Sequence, residues 1–137
     1  MTPDEARRLF AAARVARLAT ADPAGRPHLV PIAFAVAGEL VFSAVDAKPK
    51  RTTALRRLEN VGSNPRVALL ADHYDDSDWG ALWWVRADGV ARVLDADDRE
   101  ARRAIALLAE RYAQYRAVPP RGPVLAVAVD RWSGWRA

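Results

Sequence analysis

Short apolar runs, each closed by a turn signal, alternate along most of this chain, with a few stretches of helical spacing set between them. Val15 to Thr20 and Pro27 to Val36 are rich in β-formers and are separated by Asp22-Pro23-Ala24-Gly25-Arg26, where proline fixes φ and glycine can take a positive φ. That pattern predicts a hairpin. A second reversal at Ala37-Gly38-Glu39 leads into a strand over Leu40 to Val45. Pro31 interrupts the middle run; because proline cannot donate to a ladder, it marks an edge, a bulge, or a place where something other than a strand lies alongside. Arg66 to Asp72 is continuously apolar at its centre and reads as a buried strand. Leu82 to Leu94 is a longer strand broken softly at Asp88-Gly89, and Pro123 to Val129 is the last, ending in Asp130-Arg131-Trp132-Ser133-Gly134-Trp135.

Three helices punctuate these strands. Thr2 to about Ala13 has Thr2 as N-cap, Pro3 at the first helical position, Asp4 and Glu5 at the positive end, and Leu9 and Phe10 on its apolar side. Leu55, Leu58 and Val61 give helical spacing over Thr52 to Asn60, with Gly62 and Pro65 after the end. Asp97 caps a third helix, whose apolar positions Ala101, Ile105, Leu108, Tyr112 and Tyr115 step by four, three, four and three. Six strands, few helices and mostly hairpin connections predict a mainly β fold with flanking helices: a six-stranded antiparallel barrel, lidded at one end by the first helix.

Length agrees with a single domain spanning 1–137, since two cores cut from 137 residues would each be marginal. Hydrophobic residues make up 51% of the chain, enough to outweigh the ordering entropy that keeps polar segments unfolded. There is no cysteine, which excludes disulfides, thiolate nucleophiles and sulfur-ligated zinc. No apolar run is long enough to cross a membrane and the first residues lack an apolar targeting segment, so a soluble cytoplasmic protein is expected. The net charge of +4 comes from 21 basic residues interspersed with 17 acids, a surface pattern that does not call for nucleic acid.

One basic cluster stands apart. Asp46-Ala47-Lys48-Pro49-Lys50-Arg51-Thr52-Thr53 places three cations and two hydroxyls between a strand and a helix start, where free backbone amides and the helix dipole already favour an anion. The cluster suits a phosphate, or equally a solvated turn with a threonine cap. Of five tryptophans, Trp83 and Trp84 must face opposite sides of their strand, so one of them needs a partner surface or a planar ligand. His28 and His73 lie on separate runs, and no metal site is expected from either. Ser43, Ser63, Ser77 and Ser133 lack any nucleophile motif. An enzyme built this way would leave the chemistry to a cofactor.

Taken together, Ala19-Thr20-Ala21-Asp22-Pro23-Ala24-Gly25-Arg26-Pro27-His28-Leu29-Val30-Pro31, Val41-Phe42-Ser43, Lys48-Pro49-Lys50 and Asn64-Pro65-Arg66-Val67-Ala68-Leu69 resemble the pyridoxamine 5'-phosphate oxidase-like split β-barrel superfamily. Asp72-His73-Tyr74 and Leu82-Trp83-Trp84-Val85 resemble its actinobacterial branch of coenzyme F-420-dependent reductases. The resemblance implies a homodimer with two cofactor sites at the subunit interface and an oxidoreductase acting on a small conjugated substrate through F-420, with FMN as the alternative cofactor; a dimer that carries F-420, FMN or a planar tetrapyrrole-like ligand without turnover is the alternative function. It implies a phosphate held by Lys48, Lys50, Arg51 and Thr52, and a ring lined by Val30, Pro31, Ile32, Ser43 and Ala44. Trp84 and Trp135 would form the wall contributed by the partner subunit, and no catalytic residue is implied. The chain lacks the additional C-terminal arginine and histidine residues that pyridoxamine phosphate oxidases use for pyridoxal phosphate, which disfavours vitamin B6 oxidation.

Overall fold

The computed structural model describes residues 1–45 and 51–137, and the side chains of residues 51–55 lie outside that description. Helix α1 spans Pro3–Ala12 and begins with a capping box: Thr2 Oγ1 accepts from the Glu5 amide at 3.2 Å, and Glu5 Oε2 accepts from the Thr2 amide at 3.1 Å. Its buried side carries Ala6 and Phe10, and the Phe10 ring packs 4.7 Å from Phe34 and 5.4 Å from Trp132. The helix thereby closes the core from one side, against strands β6 (Trp83–Leu94) and β7 (Val124–Arg136).

The remaining elements are β1 (Ala16–Ala21), β2 (Pro27–Ile32), β3 (Ala35–Ala37), β4 (Leu40–Ala44), α2 (Arg51–Ser63), β5 (Arg66–His73), α3 (Arg99–Arg111) and α4 (Ala113–Ala117). Seven strands form one antiparallel sheet in the order β2-β1-β5-β6-β7-β4-β3. The sequence pattern predicted six, because Pro27 to Val36 read as one strand. It divides at residues 33 and 34, where Phe34 turns its ring fully into the core. Side chains replace the ladder there: the Tyr112 hydroxyl accepts from the Phe34 amide at 3.2 Å and donates to the Phe34 carbonyl at 3.1 Å, and Ser43 Oγ donates to the Ala33 carbonyl at 3.0 Å. The division sets the shape of the fold. β2 and β3 are the two outer strands of the sheet yet only two residues apart in sequence, so the sheet must curl until its edges meet without pairing. Pro31, on the edge strand β2, is where a residue without an amide proton does least harm.

Two apolar clusters follow from the curl. Inside it lie Phe10, Leu18, Phe34, Val41, Leu69, Val85 and Leu125. Outside β4 and β7, helix α3 covers Phe42, Leu94, Val124 and Ala126 with Ala101, Ala104 and Leu108. Asp98 caps α3, one residue after the expected Asp97, by accepting from the Glu100 amide. Arg111 at the end of α3 donates to the carbonyls of Ala11 and Ala13, answering the free carbonyls at the end of α1, and lies 4.8 Å over the Phe34 ring.

Strand β7 runs seven residues past the expected end at Val129. Its second half pairs with β6 across a bulge, with Gly89 opposite Val129 and Asp88 opposite Arg131. Gly89 is required because a Cβ there would collide with the Ala128 backbone. Trp132 turns inward at 7% exposure and its Nε1 donates to Glu39 Oε2 at 2.7 Å. Among the described residues no helix is long and apolar enough to cross a membrane.

Candidate functional site

Side chains alternate across a strand, so the residues of β1, β2, β5, β6 and β7 that do not enter the core all project from the convex side of the sheet. Register places them in rows: Leu29 opposite Ala19, Pro31 opposite Arg17, Arg17 opposite Leu70, Leu70 opposite Arg86, and Trp84 between Asp72 and Trp135. Large apolar side chains stand open there, among them Leu29 at 67% exposure, Trp135 at 48%, Leu70 at 38% and Trp84 at 37%. Beside Leu29 and Leu70 runs a groove of about 510 Å³, lined also by Arg17, Ala19, Ala68, Asp72 and Arg86, while Trp84 and Trp135 lie outside its lining.

The two arginines that line the groove are matched locally. Arg17 Nη1 lies 3.4 Å from Asp72, and Arg86 Nε lies 3.0 Å from Asp88 while its guanidinium sits 6.0 Å over the Trp84 ring. What the face still offers is flat aromatic and aliphatic surface. Contiguous exposed apolar surface of this kind marks an interaction site in a soluble domain.

The site residues expected from sequence fall into four groups. Pro31, Trp84 and Trp135 share the convex face. Val30 and Ile32 point the other way: Ile32 is buried in the interior cluster and Val30 packs half-buried against it. Ser43 and Ala44 are enclosed by their own chain at 6% and 7% exposure, the Ser43 hydroxyl donating to Ala33 and Ala44 packing in the α3 layer. Arg51 and Thr52 begin α2, in keeping with a cluster at a helix start, but their side chains are not described; Lys48 and Lys50 lie outside the described residues.

Arg17, Leu29, Leu70 and Arg86 had not been singled out from sequence. A signal was present in β5, where Val67-Ala68-Leu69-Leu70-Ala71 is apolar on both faces. That run reads as a strand buried on two sides, whereas the single chain buries only Val67, Leu69 and Ala71. Leu70 is apolar surface that one copy of the chain leaves uncovered.

The opposed tryptophans behave as the strand period requires. Trp83 points inward, packs against the interior cluster and stacks at 6.3 Å on His73, while Trp84 points outward. The acidic run after β5 is used within its own turn. Asp75 accepts from the amide and hydroxyl of Ser77, which hold its carboxyl below the ordinary range, and Asp78 accepts from the Gly80 amide. Among the described residues no three metal-ligating side chains come together.

Comparison with solved structures agrees with this architecture. The conserved hypothetical protein Rv2991 of Mycobacterium tuberculosis is similar with a TM-score of 0.73 and 25% identity, over 99% of this chain and 85% of that one. A FAD-binding protein of Mycobacterium smegmatis is similar with a TM-score of 0.64 and 25% identity, over 99% and 95%. HutZ, the heme storage protein of Vibrio cholerae, shares the fold with a TM-score of 0.72 at 20% identity, over 99% and 95%. No curated protein matches. The profile described as pyridoxamine 5'-phosphate oxidase matches residues 2–136, and the chain belongs to that family.

Proposed function

We propose that two copies of this chain hold coenzyme F-420 between them and transfer hydride between it and a small conjugated organic substrate. The observation that carries this reading is the Trp84–Trp135 cross-strand pair, two large flat side chains left open on an apolar sheet face. Such a pair fits a planar heterocycle, and a second copy laid on the same face would cover Leu29 and Leu70. The FAD-binding relative supports a flavin-type ligand in this family. FMN is the alternative, because a phosphate would suit the basic stretch at 48–52 in either case.

Within this reading the bound coenzyme supplies the hydride chemistry, and the chain supplies a place for it. Trp84 and Trp135 orient the ring by contact with its face. Arg86, fixed by Asp88 and lying over Trp84, keeps a positive charge beside that wall. Leu29, Leu70 and Ala68 exclude water along the groove. Lys48, Lys50, Arg51 and Thr52 hold the phosphate.

The test is steady-state oxidation of reduced F-420 with a panel of conjugated acceptors. Turnover that stops in the Lys50→Ala, Arg51→Ala double variant supports the reading. That variant should also bind the coenzyme about 2 to 5 kcal/mol more weakly while its circular dichroism is unchanged. Unaltered binding would remove the phosphate assignment. A second reading, a carrier that binds without turnover, rests on the acids of this face: Asp72 in the groove and Asp88 beside it are both in ion pairs, so neither stands free as a proton donor. Tight binding with no acceptor reduced would favour it.

A further inference from the structure

We infer that the cleft between the β1–β2 turn and the C-terminal half of α2 is a binding site for a small zwitterion of the amino-acid class, with its carboxylate and ammonium held by opposite charges of the same helix. The cleft measures about 580 Å³ and is walled by the turn residues Asp22, Pro23 and Arg26, by His28, and by Arg56 and Glu59 of α2. It is separate from the convex groove, with which it shares no lining residue, and it does not depend on the reading proposed above.

The turn is rigid and its acid is already committed. Asp22 Oδ1 accepts from the amides of Ala24 and Arg26, each at 2.9 Å, and Oδ2 accepts from Arg26 Nε at 2.8 Å. Hydrogen bonds from Arg26 hold its carboxyl below the ordinary range. Asp22 therefore acts as an anchor that presents the terminal nitrogens of Arg26, and its own charge is not on offer. The floor is equally fixed, because Asn60, 4% exposed, donates from Nδ2 to Thr20 Oγ1 at 3.0 Å.

Three groups remain without partners among the described residues. His28 Nδ1 is sealed from solvent and makes no hydrogen bond. A proton there would be stranded, so the tautomer with hydrogen on Nε2 is favoured, and His28 offers an N–H donor to the cleft it lines. Arg56 and Glu59 stand one turn apart on α2, both exposed and both lining the cleft. No ion pair joins them or ties either to another described residue, although that spacing permits one. A simple anion would meet Glu59 unfavourably, and a simple amine would meet Arg56, Arg26 and the His28 donor. A molecule with both charges satisfies all of them: its carboxylate takes Arg56 and His28, and its ammonium takes Glu59.

The experiment is an amide-resolved NMR titration of the intact protein with the common L-amino acids one at a time, and with inorganic phosphate. At least one amino acid should shift the amides of Ala24 to His28 and of Glu59 to Ser63 saturably below about 10 mM, while phosphate does not. The N-acetyl and methyl-ester derivatives of that amino acid should each bind about tenfold more weakly or worse, as should Arg56→Ala and Glu59→Gln, whose exposed positions leave the fold unchanged. The inference is overturned if no amino acid shifts these amides, if either blocked derivative binds as well as the free form, or if phosphate produces the same shifts.

Discussion

Strands β5 and β6 present two faces built from the same ladder. The inner face, with Leu69, Ala71, Val85 and Ala87, is completed by α1, by Phe34 and by the curl of the sheet, and every one of these residues is 1% exposed or less. The outer face sets Leu70 and Trp84 among the charged Arg86, Asp72 and Asp88, and leaves both apolar side chains more than a third exposed among the described residues. Alternation along a strand normally pairs an apolar inside with a polar outside. Where large apolar side chains stand on the second face as well, that face is surface reserved for something outside the chain.

The largest effect should come from the closed face. Phe10→Ala removes the ring that joins Phe34 to Trp132 and should destabilise the fold by about 3 to 5 kcal/mol in chemical denaturation. A loss below about 1 kcal/mol would mean that α1 does not close the core.

Leu70→Asp addresses the open face. It should leave the unfolding of the isolated chain almost unchanged and, in the proposed dimer, raise the dissociation constant by about 100-fold, about 3 kcal/mol, in sedimentation equilibrium. Equal association of variant and parent would show that the second copy does not sit there.

Asp22→Asn gives the smallest effect and sharpens the comparison at the sheet edge. The Asp22 carboxyl is held low in the folded state, so its contribution is full above the unfolded carboxylate value and is lost as pH falls through the folded one. The variant should therefore be less stable than the parent at neutral pH, with the gap closing in acid, as read by thermal unfolding across pH. A gap that does not change with pH would contradict the role of Asp22 in the turn.

Local signals carried most of the fold. Helix α1 was legible from Thr2, Pro3 and Glu5 because capping is written in adjacent residues, and the opposed tryptophans were legible from the strand period alone. Tertiary effects were not legible. The division between β2 and β3 depends on a hydroxyl 78 positions away, that of Tyr112, and the second half of β7 depends on a bulge opposite Gly89. For the site, the resemblance pointed to the strand run Val30-Pro31-Ile32, but only Pro31 has the outward parity. Ala44 is enclosed because α3 packs over β4, an association that no local pattern near residue 43 records, and Ser43, on the other face of the strand, is turned to the Ala33 carbonyl.

The central claim is that the open face with Trp84 and Trp135 holds a deazaflavin between two copies of the chain. The most direct measurement is a tryptophan-fluorescence titration with F-420, in parallel with FMN, on the parent protein and on Trp84→Ala. The account predicts saturable quenching by F-420, weaker binding of FMN, and loss of most of the quenching in the variant. Quenching by neither ligand, or quenching by F-420 that survives the substitution intact, would contradict it.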